Sequence, residues 1–268
     1  MKTQVIAILA LLISFASSSA QDKIVVGGSG SLNEEIADLA KAYMAKNSSD
    51  AVEVRPESMS TEGGIEGVRL GRLHIGLISR PLTSSEKGKL VYIPIARSLA
   101  GVVFHKSIPV SNLTETQICD IFSGKLKSWK DVGGNDGKIT VLTRKKDDNN
   151  TETFREKMSC FKDLGITPDA IPLVRGSEVL AALDKRPGTI GIVNLGSSFR
   201  DLDHIKAAAI NGIAPTPEAA RGEKYRYFAE RGLVTHGEPQ GLTKRFIDFM
   251  ATAEGRKIIG SQGAIPIR

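Results

Sequence analysis

Short apolar runs alternate with amphipathic stretches along almost the whole chain. Lys23–Val26, Val52–Arg55, Ile75–Ile78, Val91–Ile95 and Leu99–His105 read as strands, as do Ile139–Thr143, Ile171–Val174, Ile190–Val193 and Leu233–Thr235. Helical spacing recurs near Leu32–Lys46, Gly64–Leu70, Glu115–Phe122, Thr151–Met158, Ser177–Leu183 and Gly241–Met250. In the first of these, Ile36, Leu39, Ala40 and Tyr43 fall on one face. The alternation predicts an α/β fold with crossover helices. Leu99–His105 follows Val91–Ile95 so closely that the chain is expected to leave one sheet there and enter another. Tyr225–Thr235 is expected to bring it back. The predicted layout is two α/β lobes joined by crossing strands, with a ligand cleft between them. Residues 21–98 plus 226–268 would form a discontinuous first lobe and residues 99–225 the second. Ligands of open α/β sheets bind beyond the carboxyl ends of strands. Two such sheets facing each other can close about a hinge.

The first twenty residues do not fit this pattern. Lys2, an apolar stretch from Val5 to Phe15 and the small residues Ser18-Ser19-Ala20 have the form of a cleavable secretory signal peptide over residues 1–20. The stretch is too short for a typical membrane span, and no later run is long enough. No cysteine follows it, so a lipid anchor is not expected. These features predict a mature protein soluble outside the cytoplasm, and it is expected to be a monomer.

The formal net charge of +6 favours small anionic ligands. Basic residues are scattered, and the densest cluster, Arg144-Lys145-Lys146, is followed at once by Asp147 and Asp148. Nucleic acid is therefore not an expected partner. Cys119 and Cys160 leave two readings open: one disulfide in an oxidising compartment, or two separate buried thiols. The four histidines are scattered without HExxH or paired spacing, so no metal, cofactor or histidine-based nucleophile is predicted. An exported phosphoesterase would need such a cluster, which argues for a binding protein and against an enzyme.

Four loops carry polar groups just beyond predicted strands. Gly27-Gly28-Ser29-Gly30-Ser31-Leu32 is a glycine turn into a helix, where amide hydrogens and the helix dipole favour an anion. Ser58-Met59-Ser60-Thr61-Glu62-Gly63-Gly64 leads into the second helix. Ser79-Arg80-Pro81 follows the third strand. Thr143-Arg144 precedes Asp148-Asn149-Asn150 and another helix start. Taken singly, each loop also fits a structural role: Ser60 and Thr61 or Asp148 to Asn150 as caps and turns, Arg80 as a surface arginine. Together they supply hydroxyl, amide and guanidinium donors, which an oxyanion needs to replace its lost water.

In this order the segments resemble the phosphate-type periplasmic solute-binding proteins of bacterial ABC transporters. The matching pieces include Gly28-Ser29-Gly30-Ser31-Leu32, Ile75-Gly76-Leu77-Ile78-Ser79-Arg80-Pro81-Leu82, Ile121-Phe122-Ser123-Gly124-Lys125, Trp129-Lys130-Asp131-Val132-Gly133-Gly134 and Glu152-Thr153-Phe154. The resemblance implies a type II periplasmic binding-protein fold that captures an oxyanion, usually phosphate, and delivers it to an ABC permease in the inner membrane. It implies ligand contacts from the Ser31 and Leu32 amides, the Ser31 hydroxyl, Thr61, Arg80 and Arg144; by their loop positions Ser29, Asp148, Asn149 and Asn150 are expected to join them. Sulfate, molybdate, an organic anion or a sensory role are the alternatives. The chain departs from the family where Asp148-Asn149-Asn150-Thr151 replaces Ser-Gly-Thr-Arg. It departs again at Glu62, where a small hydroxyl residue is common, and at His74 and Ser98, where aspartate is frequent. A carboxylate near a bound anion is repulsive. Asp148 would fit phosphate by accepting its proton, and would then reject sulfate, which has none to offer.

Overall fold

The computed structural model describes residues 22–144 and 148–267. The signal peptide expected over residues 1–20 lies outside them, as do Lys145, Lys146 and Asp147 of the charged cluster. The chain begins β1 (Asp22–Gly28), α1 (Asn33–Lys46), β2 (Asp50–Ser58), α2 (Ser60–Arg69), β3 (Ile75–Ile78) and β4 (Leu90–His105). It continues β5 (Asn112–Leu113), α3 (Glu115–Phe122), β6 (Thr140–Arg144), α4 (Asn149–Lys157), β7 (Ile171–Leu173), α5 (Gly176–Lys185) and β8 (Thr189–Asn194). Then come α6 (Ser197–Arg200), β9 (Ile205–Ala207), β10 (Ala209–Ile210) and α7 (Pro217–Arg221). The final elements are β11 (Phe228–His236), α8 (Gly241–Met250), α9 (Ala253–Ser261) and β12 (Ile265–Pro266).

The main sheet runs β2-β1-β3-β11-β4-β8-β6-β7, with β9 and β12 also paired to β4. Its two ends are parallel βα units: β1 pairs with β2 and β3, and β6 with β7 and β8. The middle is antiparallel, where β4 meets β11 on one stretch and β8 on the next. Two apolar cores follow this division. One gathers Ile24, Ile36, Leu39, Tyr43, Ile75, Leu233 and Phe246. The other gathers Val102, Phe104, Ile118, Phe122, Trp129, Phe154, Leu183 and Ile190. A smaller cluster under α2 joins Ile65, Val68, Ile78 and Val234. Trp129 is buried in the second core, its indole N–H donating to the Gly188 carbonyl at 3.1 Å.

The two strands expected at Val91–Ile95 and Leu99–His105 are one continuous strand, β4. The charged Arg97 suggests a break, yet its side chain is buried. Its guanidinium donates to the Ala220 carbonyl at 2.6 Å and to Glu223 at 2.7 Å, and stacks over the Phe228 ring at 4.2 Å. With those partners a cation is tolerated inside a strand, and the chain passes from one half to the other in β geometry.

The glycine turn has a packing role. Gly28 adopts φ +144°, and a side chain there would come within 2.3 Å of the Leu77 carbonyl oxygen. Gly64 on α2 sits against the same carbonyl, so the helix lies close on β1 and β3. Cys119 and Cys160 form a disulfide between α3 and the turn that follows α4.

Candidate functional site

The loops singled out in the sequence converge on two connected spaces. The outer one is a cleft of about 940 Å³ touched by Ser29, Thr61, Arg80 and Asn149. The inner one is a pocket of about 300 Å³ lined by Ser31, Ser79, Ser98, Arg144, Asp148, Asn149, Asn150, Asn194, Ala229 and Arg231. Ser79, Asn149 and Ala229 border both. Eight of the nine expected residues therefore meet here, contributed by β1, α2, β3, β6 and α4 or their ends. Every residue lining the smaller space except Ala229 carries a polar side chain.

Leu32 is the exception. Its side chain is fully buried in the first core. Its amide, expected to face the ligand, donates to the Ser29 carbonyl at 3.1 Å. The physical reason is the 3-10 turn over Gly30–Leu32, whose i→i+3 geometry closes that bond before α1 begins. The Ser29 and Gly30 amides are also engaged, with the Leu77 carbonyl at 2.8 Å and Ser58 Oγ at 3.1 Å. The turn also brings hydroxyls to the site: Ser29 and Ser31 Oγ lie 3.0 Å apart. Thr61 and Ser79 form a similar pair at 3.0 Å, and the Ser79 amide donates to Thr61 Oγ1 at 3.1 Å.

Arg80 lines the cleft, but its guanidinium fork is already filled. It donates from Nη1 and Nη2 to the two oxygens of Glu86, each at 2.8 Å, and from Nη2 to Glu62 at 3.1 Å. These bonds hold the Glu86 carboxyl down to about 2. Glu62 is also held below the usual carboxylate range, first by its own backbone N–H and then by Ser60 and Arg80. The repulsion expected of Glu62 is thus directed into an ion pair.

Arg144 remains oriented to the inner pocket, donating to Asp148 at 3.2 Å and to the Val174 carbonyl at 3.0 Å. Its Nε is buried without a partner. Asp148 is the N-cap of α4. One of its carboxylate oxygens accepts from Arg144 and from Asn150 at 3.4 Å; the other accepts from the Thr151 amide at 3.2 Å and the Thr151 hydroxyl at 2.7 Å. A carboxylate has about four lone-pair positions, and all are taken. The expectation that Asp148 accepts a ligand proton does not fit this geometry, because helix capping uses the same oxygens.

Sequence reasoning did not select Arg231, Asn194 or Ser98 as site residues. Arg231 reaches the pocket from β11 beside a register shift against β4 at Arg231/Gly232. It donates to Glu35 at 3.0 Å. Burial pushes the Glu35 carboxyl up, against the lowering pull of Arg231. The available signal was an arginine set against the apolar run Gly232-Leu233-Val234. Among the described residues no group of three or more His, Cys, Asp or Glu could hold a metal, and no helix is long and apolar enough to cross a membrane.

The chain is similar to known proteins along most of its length. The chain is 26% identical over 254 residues to the phosphate-binding protein PstS of Bacillus subtilis strain 168, covering 92% of this chain and 82% of that one. The crystal structure of an ABC-type phosphate transport receptor from Vibrio cholerae superposes with a TM-score of 0.75 at 27% identity, covering 91% of this chain and 99% of the other. A putative phosphate ABC transporter substrate-binding protein from Clostridium perfringens, solved with bound phosphate, gives 0.70 at 26% identity, covering 92% and 100%. The fold is thus that of periplasmic binding proteins, two α/β halves joined by crossing strands around a cleft. Residues 14–254 match the profile of a PBP superfamily domain, and the chain belongs to that superfamily.

Proposed function

We propose that this protein is an extracytoplasmic solute-binding protein that captures a tetrahedral oxyanion, phosphate foremost, and presents it to an ABC-type importer. The carrying observation is the convergence of Ser31, Ser79, Arg144, Asn150 and Arg231 on one pocket of about 300 Å³. The phosphate-binding names of the relatives support the choice of ligand. Residues 22–98 with 226–267 act as one lobe and residues 99–225 as the other, a division supported by the two apolar cores. Ser31 and Ser79 come from the first lobe, and Arg144 and Asn150 from the second. An anion bonded to both sides at once stabilises the closed form in proportion to that differential contact. The role is reversible binding with no catalysis, in the periplasm, with a membrane permease as partner.

A thermal-shift series with phosphate, sulfate, molybdate and small carboxylates tests this reading. A ligand that binds only the folded chain at a hundred times its Kd adds about 2.7 kcal/mol of stability. Phosphate at millimolar concentration is expected to raise the melting temperature by several degrees. No shift with any oxyanion would refute the proposal.

A further inference from the structure

Two polar atoms among the residues that line the inner pocket are buried without a hydrogen-bond partner, the hydroxyl of Ser98 and Nε of Arg144. Ser98 is only 8% exposed. It lies on β4 opposite Ala229 of β11, at the crossing between the two halves. Buried hydroxyls normally find partners, and leaving one unsatisfied is destabilising. A hydroxyl held this way beside two guanidinium groups is suited to a ligand oxygen.

The same pocket has one carboxylate among its described lining residues, Asp148, and its four acceptor positions are filled from Arg144, Asn150 and Thr151. The charges facing the pocket are otherwise Arg144 and Arg231, the latter also paired with Glu35 of α1. We propose that Ser98 bonds directly to the captured oxyanion. We also propose that this pocket, with no carboxylate free to accept a proton among its described lining residues, holds sulfate about as well as phosphate. A hydroxyl can donate to a bare oxyanion oxygen or accept from a protonated one. A free carboxylate would instead penalise the anion that has no proton to give. The inference rests on oxyanion capture as the function and specifies its selectivity.

Calorimetric titration of the purified protein with sodium phosphate and sodium sulfate at neutral pH is the test, on wild type, Ser98→Ala and Ser98→Asp. Wild type is expected to bind both anions with Kd values within about tenfold of each other. Ser98→Ala is expected to weaken both by a similar factor, about tenfold, as loss of one charge-assisted hydrogen bond implies. Ser98→Asp is expected to keep phosphate and lose sulfate by at least about tenfold more. Sulfate binding more than tenfold weaker than phosphate in wild type overturns the selectivity. Unchanged affinities in Ser98→Ala overturn the contact, and either result leaves oxyanion capture standing. Wild type that binds neither anion overturns capture and this inference together.

Discussion

Arg80 and Arg144 look alike in the sequence, each an arginine in a loop just beyond a strand. Their surroundings give them different roles. Arg80 spends its fork on Glu86, whereas Arg144 keeps an unpartnered Nε. Arg144→Ala is therefore expected to weaken phosphate binding by at least about tenfold, and Arg80→Ala by less than about threefold. Isothermal titration of both variants decides this, and equal losses would contradict the assignment. Glu86 carries a further prediction. Its folded pKa lies near 2, well below the roughly 4.3 of a free glutamate, so its contribution to stability is complete above that value and fades as pH falls toward 2. Glu86→Gln is expected to be less stable than wild type at neutral pH, with the difference shrinking between about pH 4.5 and 2. Urea denaturation midpoints across that range measure it. The pairing could not be foreseen, because Glu86 lies outside the loop motif that draws attention to Arg80. Asp148 shows the reverse problem. Its position before Asn149 and Asn150 suits both a cap and a ligand contact, and only the filled lone pairs separate the two.

At the scale of elements the sequence was most legible where periodicity is strong. Glu115–Phe122, Gly241–Met250 and Ile75–Ile78 occur with the bounds expected of them. Periodicity failed at β4, where the buried Arg97 interrupts the apolar run without interrupting the strand, since its partners come from residues more than 120 positions away. It also missed α9, whose pattern over Ala253–Ser261 is weakly apolar and gains its stability from packing on α1 and α8. The cysteines could not be paired from spacing; the fold sets them together across a separation of 41 residues. Closing a loop of that length removes unfolded-state entropy worth up to about 4 kcal/mol. The double variant Cys119→Ser, Cys160→Ser is expected to be less stable by an amount up to that size, read from chemical denaturation. Its phosphate affinity should stay within about threefold of wild type, because neither sulfur lines the pocket. A large affinity loss in a folded double variant would mean that α4 needs the bridge to hold Asn149 and Asn150.

For the whole molecule, the alternation of strands and helices and the return of the chain near Tyr225 made the α/β layout legible. The site was legible as loops and not as atoms. Four strand-end loops were brought together as expected, yet the Leu32 amide proved committed to its own turn and Arg231 arrived from a strand with no loop signal. Strand-end position follows from local pattern, whereas which donor remains free depends on partners supplied by the tertiary fold. The central claim is that one oxyanion is held between the two halves by donors from both. Equilibrium dialysis against radiolabelled phosphate tests it most directly, on wild type and on the double variant Arg144→Ala, Arg231→Ala. One phosphate bound per wild-type chain, and loss of at least about a hundredfold in affinity in the variant, is the predicted result. Wild-type protein that retains no phosphate, or a folded variant that retains it undiminished, would contradict the account.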